Sequence, residues 1–594
     1  MSAISWVRAP IGPDAARWTT LPIERTVLVV VHTITSANRL ADILPVFESD
    51  SRVQIVFTAI GASAISEGVV DTLTHLGGTV IPWDQAVQTN FGLAIAVNHS
   101  GELWRISAPL TVLSHGIGYT KYSDGSRHPP QRDIVAPGAG SREPGAGSRE
   151  PGAGSREPGA GYGMSPEWLL HDGRPFIDAL VLSHDEQLAR LADLVPEALP
   201  AAVVAGDPCF DRLRASLPLR HRYRQRLQPE CTTTVVTISS TWGPHSLLGS
   251  WPSLVRELLS ELPVDSYRVL LVAHPNVWYA HGPWQLRNWL ADAIRAGLTV
   301  VDPLAGWQQA VLASDVLIGD HGAVTGYAAA LGIPTLLGAA RSADVVDGTA
   351  IDLLARTAPR LDPRRPIREQ LHAAMDVDAP RRSHDIADLI SATPDQSARQ
   401  LRALFYRLLS LPEPASDLPV HPYPSSDLPA GRAAVAATFV HGFVERGSTP
   451  ARVRLDRLPA DVLHYRSPRL PPLDGHFAVH AYHPIRTLRA EAGILYCNRD
   501  EAGPDQQTWL SETHLQWPAC VLTAVLGETS CTVYGGPNRT VQIRSSGTAL
   551  PTPLVYASAV YLWLSDGNGW DDLPTQLSIQ TEAGIPPMLA SVLR

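Results

Sequence analysis

TVLVVVH, residues 26–32, decides the fold class. It is a continuous apolar run rich in valine, with no alternation of polar residues. Such a run suits a strand covered on both faces, which is the condition of strands in parallel sheets flanked by helices. Outward from it, a polar loop at 33–38 precedes a helical pattern around residues 40–47, and VQIVFT (53–58) reads as a second strand. Residues 93–97 and 111–114 are further short buried strands, and ALVLS (179–183) and AAVVA (201–205) continue the series. A second series follows: strands at 235–239, 268–274, 298–301, 316–319 and 335–337, with helical patterns at 251–262, 284–296, 307–313 and 324–331. Strand, loop and helix in this alternation predict an α/β architecture with mostly parallel sheets. Two such series, joined near 212–232, predict two Rossmann-like domains facing a cleft.

The expected division is an N-terminal Rossmann-like domain at 1–211 and a C-terminal Rossmann-like domain at 212–411. The latter ends in the amphipathic pattern of 395–411. A Pro-rich linker at 412–429 leads to an accessory β-rich or mixed domain at 430–594, in which no motif suggests a role. Residues 123–163 interrupt the first series. Their middle repeats PGAGSRE from Pro137, Pro144 and Pro151, with a partial copy at Pro158. That Gly and Pro density predicts a flexible surface loop. A coiled coil is excluded because no repeat position is a large apolar residue.

The 594 residues are 44% apolar and 18% charged, enough for sizeable cores, and the net charge is −10. An acidic chain is not expected to be a general nucleic-acid binder, which would need a basic footprint. No apolar run approaches the ~20 residues of a membrane span. The first ten residues have no apolar segment of the secretory kind. The cysteines, Cys209, Cys231, Cys497, Cys520 and Cys531, show no CxxC spacing. They read as reduced thiols of a cytoplasmic protein, and no metal site is expected. RLRASLPLRHRYRQR (212–226) is a basic cluster. It reads as a solvated helix joining the domains, or alternatively as a peripheral contact with anionic lipid or a polyanionic acceptor. Lys121 is the only lysine in the chain.

Four candidate sites stand at strand ends, where ligands collect in open α/β sheets. Ser114-His115-Gly116-Ile117-Gly118-Tyr119-Thr120-Lys121 places an imidazole on a tight loop and an ammonium six residues on. His115 can accept a proton from a hydroxyl and Lys121 can neutralise a phosphate; a structural loop histidine is the alternative. In Gly206-Asp207-Pro208-Cys209-Phe210-Asp211, Asp211 is either a helix cap or a ligand contact. His274, followed by Pro275, is held at the sheet edge either to hydrogen-bond a phosphate oxygen or as a satisfied structural histidine. In Ser314 through Val324 a strand ends at Asp320, and His321, Gly322 and Ala323 lead into a helix whose N–H groups form an anion site. The lysine lacks the preceding glycine-rich loop of a P-loop GTPase.

The order of these motifs resembles the CDP-glycerol glycerophosphotransferases, the teichoic-acid-type polymerases with a GT-B fold. The family has Trp-His-Gly-Thr-Pro before a lysine, where this chain has Ser114-His115-Gly116 and Lys121. Its Gly-x-Pro-Arg-Asn-Asp corresponds to Gly206 through Asp211, and its Pro-Thr-Trp to Ser240-Thr241-Trp242. Its His-Pro corresponds to His274-Pro275, and its Ser-Asp-x-Leu-Ile-x-Asp-Tyr-Ser-Ser to Ser314 through Ala323. The resemblance spans roughly residues 20–410. It departs where Tyr-Ser-Ser becomes His321-Gly322-Ala323 and where Arg-Asn becomes Cys209-Phe210.

The resemblance implies a metal-independent transferase with no cofactor beyond its nucleotide-activated substrate. His115 would take the proton of an acceptor hydroxyl, which attacks a CDP-linked donor while CMP leaves. The acceptor would be lipid-linked or a polymer. His274, Gly116, Lys121, Asp211, Thr241 and the turn at Asp320, His321, Gly322 and Ala323 would hold substrate and diphosphate. A GT-B glycosyltransferase or epimerase using a UDP- or other NDP-sugar is the second reading. A non-catalytic nucleotide-binding or scaffold protein is the third.

Overall fold

The computed structural model describes residues 6–12, 15–17, 19–60, 69, 73, 77–114, 116–122, 162–227, 233–376, 380–431, 434–445, 447–448, 450–545, 552–581 and 588–593. The PGAGSRE repeats, His115 and Cys231 lie outside the described residues.

The opening run forms β1 (Arg25–Val31), in which Val27 to Val31 are wholly buried. With it come β2 (Val53–Ala59), β3 (Val80–Ile81), β4 (Leu93–Ala96), β5 (Leu110–Leu113), a small hairpin of β6 (Leu170–His171) and β7 (Arg174–Pro175), β8 (Ala179–Leu182) and β9 (Ala202–Val204). Among the described residues the first sheet runs β3-β2-β1-β4-β5-β8-β9, every pair parallel. The second series gives β10 (Thr234–Ser240), β11 (Tyr267–Ala273), β12 (Thr299–Val300), β13 (Val316–Gly319) and β14 (Thr335–Leu337), in the order β12-β11-β10-β13-β14. These pairs are parallel too. Each sheet therefore reverses beside its first strand, at β1/β4 and at β10/β13. A crevice opens at that reversal, because the flanking helices cross to opposite faces.

Two segments pack differently from their position in the sequence. The helix Ser397–Leu408 follows the second series, yet Leu401, Leu404, Phe405 and Tyr406 join the core built on β1. Phe405 stacks on Phe47 at 5.6 Å, and the Tyr406 hydroxyl donates to Asp50 at 2.7 Å. Burying a Leu or Phe side chain is worth roughly 1.5–3 kcal/mol, so four such residues hold the helix firmly to the first half. Residues 412–429, expected as a linker, form a strap across both halves. The Tyr423 hydroxyl donates to Asp42 and the Tyr223 hydroxyl to the Tyr423 carbonyl; Gln309 donates to the Pro424 carbonyl. Prolines suit such a strap because each removes a backbone donor that would need a partner.

The basic cluster is largely consumed inside the protein. Arg212 pairs with Asp42 at 3.0 Å and covers the Tyr423 ring; Arg214 pairs with Asp395; Arg220 and Arg224 share Asp315. Of these contacts Arg212–Asp42 crosses to the first half, and the Asp315 pairs lie within the second.

The accessory region is a barrel. Its strands are β15 (Ala437–Glu445), β16 (Ala451–Pro459), β17 (Gly475–His480), β18 (Ala492–Asn498), β19 (Leu522–Leu526), β20 (Ser530–Tyr534), β21 (Thr540–Ser545), β22 (Gln576–Gln580) and β23 (Met588–Leu593). They close in the order β15-β16-β22-β23-β21-β20-β19-β18-β17. The helix Leu554–Ser565 (LVYASAVYLWLS) is apolar nearly all round, the pattern of a helix with no solvent face. Its residues Leu554 to Val560 are buried among side chains of the surrounding strands, so helix and barrel share one core. The barrel docks on the second half through Arg457 and Asp265, both buried and paired at 2.8 Å, and through Val462, which enters that half's core. No described helix is long and apolar enough to cross a membrane.

Candidate functional site

The reversal of the second sheet is organised by Asp320, the residue after β13. Its Oδ2 accepts from the Thr241 amide and the Thr241 hydroxyl, each at 2.8 Å, and from the Leu247 amide at 2.9 Å. Asp320 is wholly buried, and its Oδ1 has no hydrogen-bond partner. The carboxylate thus ties the loop after β10 to the loop after β13, across the crevice. Thr241 is a structural partner of Asp320 here, using both its donors. Gly322 follows from the same packing. A Cβ there would lie 2.6 Å from Thr241 Cγ2 and 3.1 Å from Asp320 Oδ1. The glycine is required by the threonine it touches, a reason the strand-end reading did not contain.

The first half reaches this turn through the 114–121 motif. A Cβ on Gly116 would lie 3.5 Å from the Ala323 Cβ, and Ile117, buried, packs its Cδ1 where a Gly326 Cβ would sit. Residues Thr120 to Tyr122 are stitched to the second half by backbone. Val346 N–H donates to the Thr120 carbonyl at 2.9 Å, Tyr122 N–H donates to the Asp344 carbonyl at 3.3 Å, and Lys121 bridges Val345. The Lys121 ammonium is half-buried facing Asp320 and Asp344; burial lowers its pKa, and the two carboxylates oppose that shift. His321 is 6% exposed, and its Nδ1 has no hydrogen-bond partner. Burial first, and the charge of Lys121 second, hold its pKa below the usual histidine value, while Asp320 and Asp344 pull the other way. A neutral imidazole beside an ammonium can accept a proton or bind a phosphate hydroxyl.

A cavity of about 480 Å³ lies beside this turn, lined by His245, Ser250, Trp251, Gly338, Ala339, Ala340, Arg341 and Pro363. That volume is within the range of small-molecule sites. Arg341 lies 2.6 Å from His245 Nε2. A guanidinium only donates, so Nε2 accepts and the ring proton sits on Nδ1. Gly338, a lining residue, donates its N–H to the Gly319 carbonyl at 3.0 Å, one residue before Asp320, which places the cavity wall next to the turn. The residues 338–341 follow β14 directly, so the strand-end rule applied to that short strand would have found Arg341. His245 stands in a loop after β10 with no motif to mark it.

Other expected site residues are placed elsewhere or otherwise engaged. Asp211 is not at the turn. Its two oxygens accept from the Asp395 and Ser397 amides at 2.7 and 2.9 Å, anchoring the helix Ser397–Leu408. The expected cap role in its own motif belongs to Asp207, which accepts from the Phe210 amide. Asp207 also pairs with both Arg39 guanidinium nitrogens, at 2.8 and 2.9 Å, and accepts from the Tyr327 hydroxyl at 2.9 Å. Gly206 has φ +78°, and a Cβ on it would crowd Ser391, Thr393 and Ser397 hydroxyls within 2.8 Å. The motif is therefore a junction between halves. His274 caps the helix Pro275–His281, its Nδ1 accepting from the Asn276 amide at 3.1 Å. Its own amide donates to Ser240, one residue before Thr241, so it lies on the crevice side of β11. Among the described residues, no three His, Cys, Asp or Glu side chains are grouped as a metal site.

No protein-family model matches the chain, and no curated protein matches it by sequence. Among solved structures it is similar to the wall teichoic acid polymerase TagF, at 11% identity, 66% of this chain, 90% of that chain and TM-score 0.41. It is also similar to UDP-GlcNAc 2-epimerase from Neisseria meningitidis bound to UDP-GlcNAc, at 12% identity, 65% and 99% coverage and TM-score 0.36. A co-structure of S. aureus MnaA with UDP is similar at 10% identity, 66% and 100% coverage and TM-score 0.37. Likeness at this level does not tell what the chain binds.

Proposed function

We propose that the chain is a transferase whose nucleotide-linked, phosphate-bearing donor lies at the turn Asp320–Ala323, with its nucleotide in the adjoining cavity. The observation that carries this reading is that the 116–122 segment of the first half packs against Ala323 and is hydrogen-bonded to the second half, bringing the Lys121 charge to bear on Asp320 and His321 at a sheet reversal. A diphosphate there would answer the ammonium and the amides that open the helix Ala323–Ala330. The proton acceptor for the attacking hydroxyl is proposed as His115, next to Gly116, which touches the turn. In that step the acceptor oxygen bonds to the donor's phosphorus, the phosphorus–oxygen bond to the nucleoside monophosphate breaks, and the hydroxyl proton passes to the imidazole. On the motif resemblance the transferred group is glycerophosphate-like and the donor CDP-linked.

One observation favours the second reading, transfer from an NDP-sugar. Gly322 and Ala323 offer no hydroxyls where the resembled family has serines, and Thr241 fills the space beside Gly322. A thermal-shift panel of CDP-glycerol, CDP-ribitol, UDP-sugars and GDP-sugars separates the two. Stabilisation by CDP-glycerol, lost in Lys121→Met, is the expected result. Stabilisation by UDP-sugars with none by CDP compounds would replace it by glycosyl transfer. Turnover that disappears in His115→Ala would rule out a scaffold role.

A further inference from the structure

A segment of the barrel region touches one wall of the cavity. Pro363, one of its lining residues, accepts at its carbonyl from the Arg469 guanidinium at 3.4 Å. Arg469 is exposed and belongs to the segment between the helical turn Ala460–Tyr465 and β17. The segment is shaped for this. Arg469 and Leu470 N–H groups both donate to Ser467, and Arg466 donates to the Pro471 carbonyl, closing a compact turn. Arg360 donates to the carbonyl of Ala340, another lining residue, and Arg341 lines the cavity itself. Arg364 and Arg365 follow Pro363 in the chain; Asp362 precedes it, and Arg364 holds both its oxygens at 2.9 and 3.0 Å. Cations therefore crowd one rim of a chain whose net charge is −10. Such a concentration against the overall charge focuses the field on anions.

We propose that the barrel completes this cavity as an anion-binding subsite, with Arg469 acting beside Arg341 and Arg360 on a phosphate group of the substrate. The barrel is thereby a recognition element of the site. Arginine suits the task because its planar fork matches two phosphate oxygens at once. The inference rests on the donor reading only in taking this cavity as the occupied one. The phosphate comes from either of two sources, the donor's diphosphate or a phosphodiester chain on the acceptor.

The test is titration calorimetry on the full chain with CDP, UDP and tripolyphosphate, comparing the native protein with Arg469→Gln, Arg469→Lys and Lys121→Met. Arg469→Gln is expected to weaken tripolyphosphate by about tenfold, with Arg469→Lys recovering part of the loss and the unfolding temperature unchanged. If CDP or UDP weakens in parallel, the rim holds the donor's diphosphate in place of the turn at Asp320–Ala323. If only tripolyphosphate weakens while Lys121→Met abolishes nucleotide binding, the rim serves the acceptor's phosphates. Both outcomes support the subsite. Unchanged affinities for all probes in Arg469→Gln would overturn it and leave the donor reading standing. Loss of tripolyphosphate binding in Arg469→Gln, with no nucleotide bound by the native protein, would sink the donor reading and keep the subsite.

Discussion

At the scale of single residues, close packing decides more than residue type suggests. Gly322 is glycine because Thr241 and Asp320 leave no room for a Cβ. Gly322→Ala is expected to cost roughly 1–3 kcal/mol by overpacking. Thr241→Ser removes the clashing methyl while keeping the hydroxyl bond to Asp320, so the double variant should recover most of that loss in denaturant unfolding. Recovery by Thr241→Ser is the discriminating readout, since a conformational demand for glycine would not respond to it. A second prediction concerns acid. His476 is buried in the barrel, stacked on Tyr561 at 3.9 Å, and burial pushes its pKa down to about 3. The folded pKa lies below the unfolded value, so the unfolded chain binds the extra proton first. The stability this histidine preserves is complete above about pH 6.5 and is lost progressively as pH falls toward the folded pKa. Unfolding curves between those limits should slope by up to ~1.4 kcal/mol per pH unit more in the native protein than in His476→Phe. Parallel slopes would mean the imidazole is solvated in the fold.

At the scale of elements, the sequence motifs mark strand ends reliably and roles less so. Each quoted motif does follow a strand, because a buried apolar run and the polar residue that ends it are both local signals. What each side chain does there depends on residues far along the chain. Asp211 is a case: its partners are the amides of Asp395 and Ser397, and nothing near residue 211 announces them. Asp211→Ala is expected to destabilise the protein by about 1–3 kcal/mol, through unpaired amides at the start of the helix Ser397–Leu408. Ligand affinities should be unchanged at temperatures where the variant is folded. A fall in nucleotide affinity without loss of stability would return Asp211 to the binding site. The helix Leu554–Ser565 makes the same point. Its apolar pattern has no helical stripe because the strands of the barrel surround it. Periodicity, the main sequence signal for a helix, disappears when every face is buried.

At the scale of the whole molecule, the halves are held together by side-chain contacts as well as by the chain that links them. Asp207 receives Arg39 from the first half and the Tyr327 hydroxyl from the helix Ala323–Ala330 of the second. Tyr327→Phe removes the hydrogen bond that spans the halves but keeps the ring, which stacks between Phe210 and Trp307. The expected cost is about 1.5–3 kcal/mol, the range for a hydrogen bond to a charged group. Hydrogen exchange should rise in residues 323–330 and around 206–211 together; a rise on one side alone would show that the contact does not couple the halves. The sequence by itself determined the two parallel sheets, their strands except β3, and the positions of Lys121, Asp320 and His321 after strands. These follow from local patterns: β-branched runs, their breaks and the small residues after them. Only the tertiary structure decided that the Lys121 segment is hydrogen-bonded to the second half at Asp344 and Val346, that Asp211 serves a helix far along the chain, and that Arg341 and His245 line one cavity whose Pro363 contacts Arg469. Those are encounters between residues distant in the chain. A single sequence lists such residues without recording which of them folding brings together.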